Sequence, residues 1–138
     1  MNQPTLSMAQ QIAQAARVSE QRRTGIVPQA VSVVLSEETL VITLHGALSP
    51  AEKALATTAA GAAQVQEFHR QLFNTSSEML REEIKRITGV EVREATAEIE
   101  PKTGTVMQVF TTGTMVQVFL LAQNISPADW NGDGKLSS

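Results

Sequence analysis

The sequence contains no cysteine. Disulfides, thiolate catalysis and Cys-ligated zinc are therefore excluded. Aromatic residues are scarce, with four Phe, one Trp and no Tyr. Only His45 and His69 carry imidazoles, which leaves little for histidine–metal or Ser–His–Asp chemistry. Neither charge sign dominates. Eleven Lys and Arg against fourteen Asp and Glu give a formal charge of −3, whereas nucleic-acid binders usually show a basic excess, so no nucleic-acid partner is expected. Long apolar runs are missing too. The stretch 116–122 is interrupted by Gln117, and no window approaches the roughly 20 apolar residues of a membrane span. No direct membrane insertion is expected. Residues 1–25 hold Gln10, Gln11, Gln14, Glu20, Gln21, Arg22 and Arg23 with no unbroken apolar core. No secretory leader is expected, and the expected location is the cytoplasm.

What is present suits a folded chain. With 138 residues, 42% of them apolar, it can bury roughly two-thirds of its unfolded surface around one core. Met8, Ile12, Ala15 and Val18 place an apolar stripe on a helix over residues 5–23. Thr5 or Ser7 can cap its start and Gly25 its end. Residues 31–35 and 40–44 read as β-branched strands joined by Ser36-Glu37-Glu38-Thr39 in a hairpin. Val31, Val33, Leu35, Leu40, Ile42 and Leu44 form its apolar face.

Ser49-Pro50-Ala51-Glu52 is the sharpest local signal. Ser49 and Glu52 can satisfy each other's backbone N–H, and Pro50 sits where a missing N–H costs nothing. A helix must begin there. Continued unbroken to Thr88 it would span roughly 58 Å, too long for this chain, so a break is expected near 74–77, with Thr75 and Glu78 as a second capping box. Val90 to Glu100 reads as a strand whose alternation changes phase at Arg93-Glu94, as a bulge would cause. Pro101-Lys102-Thr103-Gly104 is turn chemistry.

Residues 103–110 are then nearly repeated by 112–119. Two strands joined through Thr111-Thr112-Gly113 are one reading of 105–121. A bent strand shared with a second chain is the other. The expected architecture is α+β, an antiparallel sheet of about five strands with helices on one face, in the order α-ββ-α(α)-βββ. The N-terminal helix (1–25) and an α+β body (26–122) form one domain, followed by a flexible tail (123–138).

Candidate chemistry is sparse. His45, Glu52 and Lys53 could form a polar cluster beside a helix N-terminus, although capping already accounts for Glu52. His69 is expected at a partly exposed helix position. Glu78, Arg81, Glu82, Glu83, Lys85 and Arg86 read as a solvated face with a Glu82–Arg86 pair. No GxGxxG, P-loop or GxSxG is present. No catalytic residue and no cofactor are expected. The tail does contain Asp129, Asn131, Asp133, Gly134 and Lys135 at the spacing of an EF-hand-type calcium loop, without the closing carboxylate at its twelfth position. It resembles the first calcium loop of dockerin modules. Weak Ca²⁺ binding at most is expected, with Asp129, Asn131 and Asp133 as side-chain ligands and Lys135 as the carbonyl ligand.

The segment 44–55, from Leu44-His45-Gly46-Ala47-Leu48-Ser49-Pro50-Ala51-Glu52, together with Ile87-Thr88-Gly89-Val90-Glu91-Val92, resembles the bacterial MpsC family, named for a Na+-translocating membrane potential-generating system. The similarity covers about residues 5–121. It implies a small soluble accessory protein, not an enzyme, associated with membrane proteins of ion or inorganic-carbon transport. It supplies no catalytic residues. The nine-residue duplication and the calcium-like tail depart from the family's usual end. A small-ligand sensor with a pocket between helix and sheet is the alternative reading. The narrow helix stripe and the long apolar C-terminal strand pair suggest a homodimer.

Overall fold

A computed structural model describes residues 6–99 and 114–137, with backbone only for 96–99 and 137. Among these residues the elements run α1 (Met8–Thr24), β1 (Ala30–Ser36), β2 (Thr39–His45), α2 (Pro50–Leu55), α3 (Ala59–Ser76), α4 (Glu78–Thr88), β3 (Val92–Ile99), β4 (Met115–Leu121), α5 (Pro127–Trp130) and β5 (Gly134–Ser137). The fold is α+β. Five strands form one antiparallel sheet in the order β3-β4-β2-β1-β5.

Local chemistry sets most boundaries. Ser7 and Gln10 close a capping box at the start of α1, and Gly25, at φ 80°, ends the helix in the left-handed region. Ser49 and Glu52 make the expected box at α2. That helix stops after six residues, a break the sequence reading did not place. Thr58 caps α3 by accepting from Gly61 N–H at 3.0 Å. A Cβ on Gly61 would lie 1.9 Å from the Leu55 carbonyl oxygen, so only glycine permits this tight corner. The second break does fall where length demands it, at Ser77 between α3 and α4. The cap expected from Thr75 is absent, because its hydroxyl turns back to the carbonyls of Gln71 and Leu72.

The hairpin registers Val33 against Ile42 and Leu35 against Leu40. Val31, Val33, Leu40, Ile42 and Leu44 are fully buried. Met115, Phe119 and Leu121 of β4 extend that face, and Phe73 meets Phe119 edge to face at 5.9 Å. β3 shifts register between Val92 and Glu94, which places the expected bulge at Arg93. Helix α1 lies over β1, β2 and β5, α3 over β3, and α4 on α1. The buried side of α1 is Ala9, Ile12, Ala13, Ala16, Ser19 and Glu20, while Val18 is exposed. The stripe is thus turned from the one expected, because small side chains let the helix approach the sheet more closely than Val18 would.

Residues 101–113 lie outside the described residues, including the turn at 101–104 and the joint at 111–113. Residues 115–121 pair with β2 on one side and β3 on the other, so this part of the repeat is paired within the chain. The tail expected to be flexible carries α5 and β5, and β5 pairs with β1. Burial of Trp130 and partial burial of Ile125 and Leu136 against the core give it the apolar anchoring that its polar composition concealed. Gly134 passes so close to α1 that a Cβ would sit 2.7 Å from that of Ala9.

Candidate functional site

The Glu52 side chain does two jobs. Oε1 accepts from the Ser49 backbone N–H at 2.9 Å as half of the capping box. Oε2 lies 2.6 Å from His69 Nε2. The expectation of a partly exposed His69 is overturned, since the residue is 2% exposed. Turning α2 into α3 at Gly61 brings Glu52 and His69 together across 17 residues, a separation that no helical spacing reveals. His45, at the end of β2, accepts from Gln29 N–H through its carbonyl, and Lys53 is exposed; Glu52 pairs with His69.

A second buried pair stands beside the first. Glu20 is fully buried. Arg23 Nη1 donates to Glu20 Oε1 at 2.9 Å, Nη2 to Ser19 Oγ at 3.0 Å and Nε to Ser76 Oγ at 2.9 Å. The guanidinium lies 5.2 Å from the Phe73 ring centroid, a cation–π distance. Two of the buried atoms without a hydrogen-bond partner among the described residues belong to this cluster, Glu20 Oε2 and His69 Nδ1. Buried polar atoms are nearly always satisfied, by protein, water or ligand.

Electrostatics tie the four groups into one unit. Burial raises the Glu20 carboxyl above its usual pKa, with the Glu52 charge adding to the rise and Arg23 and His69 opposing it. Burial also pulls Arg23 down, against the attraction of Glu20. Burial alone would raise Glu52, but the Ser49 backbone N–H, His69 and the Ser49 hydroxyl together hold it below the ordinary value. Both Glu52 oxygens are thus engaged, Oε1 by the Ser49 backbone N–H and Oε2 by His69 Nε2. The two carboxyls are shifted in opposite directions, Glu20 up and Glu52 down, a divergence that clusters at functional sites.

A cavity of about 470 Å³ opens against this cluster, lined by residues of α1, α2 and α3 that include Arg23, Ser49, Glu52, Leu55, Val65 and Phe68. Its size falls within the small-molecule range. It lies among three helices, not between helix and sheet. Leu55 and Phe68 are about half exposed at its wall. Glu20 and Arg23 escaped the sequence reading because each is polar in a polar-looking helix. Their one signal was position: Ala9, Ala13, Ala16 and Glu20 follow one another at helical spacing.

The tail residues take structural parts. Asp133 Oδ1 accepts from Trp130 Nε1 at 2.9 Å and from Leu35 N–H at 3.1 Å. Asn131 ends α5 in the left-handed region, and Asp129 N–H donates to the Ser126 hydroxyl. Lys135 stands in β5 opposite Ser32. Among the described residues no group of three His, Cys, Asp or Glu side chains is gathered. On α4, Arg86 pairs with Glu83 at 2.8 Å, not with Glu82, and Lys85 with Glu91.

Residues 5–114 match the family described as Na+-translocating membrane potential-generating system (MpsC). The match spans more than half of the chain, and the chain belongs to that family. No curated protein matches the chain, and no solved structure does.

Proposed function

We propose that this MpsC-family chain is a non-enzymatic accessory protein that works in the cytoplasm, as a homodimer, beside a Na+-translocating membrane system. Family membership supports the link to such a system. No helix among the described residues is long and apolar enough to cross a membrane, which fits a protein that reaches the membrane through a partner.

The observation that carries the interaction reading is the sheet face opposite the helices. Val34 pairs with Val41, and Val41 with Val118. These residues alternate with the buried set, so they form one cross-strand row facing away from α1. Val34 is 46% exposed. Such an exposed apolar row gains from being covered, as by another protein surface.

Two measurements test the proposal. Light scattering should give twice the 14.9 kDa chain mass, and Val41→Glu should return the monomer. A tagged chain purified from native membranes should bring down a Na+-translocating complex. A monomer that is recovered free of any membrane complex overturns the reading.

The cavity favours a second reading, a small-ligand sensor. The partly exposed Glu52, with Glu20, Arg23 and His69 buried beside it, supports it, because convergent polar groups in an apolar pocket are the usual form of a ligand site.

A further inference from the structure

We propose that the cavity among α1, α2 and α3 binds a small primary amine or guanidinium carried on an apolar chain, with Glu52 receiving the cation. The inference rests on the ligand-sensor reading and names its chemistry. Two charged side chains line the cavity, and they differ in what they offer. Arg23 is 2% exposed in its side chain. Its three nitrogens are engaged by Glu20, Ser19 and Ser76, and its guanidinium lies over Phe73. Its charge is spent inside the protein. The Glu52 side chain is 20% exposed; Oε1 bonds the Ser49 N–H and Oε2 bonds His69. A carboxylate oxygen can accept more than one hydrogen bond, so capacity remains on the cavity side. The charge facing an incoming ligand is therefore negative.

The rest of the lining suits the remainder of such a ligand. Ile26, Leu55, Val65 and Phe68 give an apolar wall, and Gln64 adds a neutral polar group. Phe68 is 54% exposed, so its ring is available to an alkyl chain or, within cation–π reach, to an ammonium. An anion would meet Glu52 without an exposed cation to compensate it. Behind Glu52, Glu20 and Arg23 form a closed pair, and Glu52 itself holds His69, so the site needs no rearrangement to accept a positive head.

Amide-resolved NMR titration of the full 138-residue chain with n-hexylamine, n-hexanol and hexanoate tests this. The three probes share a tail and differ in charge. Hexylamine should shift the amides of residues 49, 51–55 and 64–68. It should bind about tenfold more tightly than hexanol, the effect of one partly exposed ion pair with an aromatic neighbour. Glu52→Gln should bring the two affinities together. Because Glu52 also caps α2, Leu55→Lys provides a variant that leaves the cap untouched, and it should weaken the amine more than the alcohol. Hexanoate or hexanol binding there as tightly as the amine would leave a ligand site but overturn the cation assignment. No shift at these residues with any probe would overturn both the assignment and the sensor reading.

Discussion

His69 Nε2 and Glu52 Oε2 lie 2.6 Å apart, joining the buried face of α3 to the first turn of α2. The same carboxylate closes the α2 capping box, so one side chain couples a local helix start to a tertiary contact. His69→Ala removes the donor and leaves Glu52 half-satisfied. The stability loss should be about 2–3 kcal/mol, the scale of a broken buried polar contact plus its cavity. Urea denaturation of the two proteins measures it, and a loss of a few tenths would mean that the bond carries no tertiary load.

Glu20 gives a pH signature. Its folded pKa is raised from 4.5 by burial. The folded protein then holds the proton more tightly than the unfolded chain, so this group's contribution is fully present below pH 4.5 and is lost as pH rises through the folded pKa. Glu20→Gln removes that dependence. The difference in urea midpoint between wild type and variant, followed upward from pH 4, should move against the wild type. Glu52 acts with opposite sign: its depressed pKa contributes stability above 4.5 that is lost as pH falls through the folded value. A wild-type-minus-variant difference independent of pH would show that Glu20 is not buried as described.

Two glycines are fixed by contact. Gly61→Ala drives a Cβ into the Leu55 carbonyl and should cost about 3 kcal/mol or more. Gly134→Ala presses β5 against the α1 backbone at Ala9 and Gln10, and overpacking of this kind costs about 1–3 kcal/mol. Thermal melts rank them. Gly89→Ala has open space but a φ of 76°, and it should cost less than Gly61→Ala.

Trp130 is the sole tryptophan and is 5% exposed, so its emission reports on tail docking. Asp133→Ala removes the acceptor for both Trp130 Nε1 and Leu35 N–H. Emission should shift to the red in the variant, with a stability loss of about 1–3 kcal/mol. Asp129→Ala, at an exposed position, should do neither. Calcium should bind in the millimolar range, the weak end for such loops. Saturable heat at micromolar Ca²⁺, abolished by Asp129→Ala, would reverse that expectation.

Helix starts and strand faces were written locally. Ser49, Pro50 and Glu52 specify α2 because capping acts over three residues. Alternation in 31–35 and 40–44 specifies a buried face because successive strand side chains point to opposite sides. Gly25 and the Arg93 bulge were legible for the same reason. The corner at residues 56–58 was not, since its cause is a carbonyl oxygen six residues before Gly61 in chain order but against it in space. The docking of the tail was not legible because its Asp, Asn and Gly content suits a flexible end, a turn and a paired strand equally; pairing with β1 decided among them. The polar cluster depended on tertiary structure most of all. Glu20, Glu52 and His69 sit on three helices, and nothing in their spacing brings them together. Burial, which only the assembled fold can create, turned three ordinary polar residues into a shared electrostatic site.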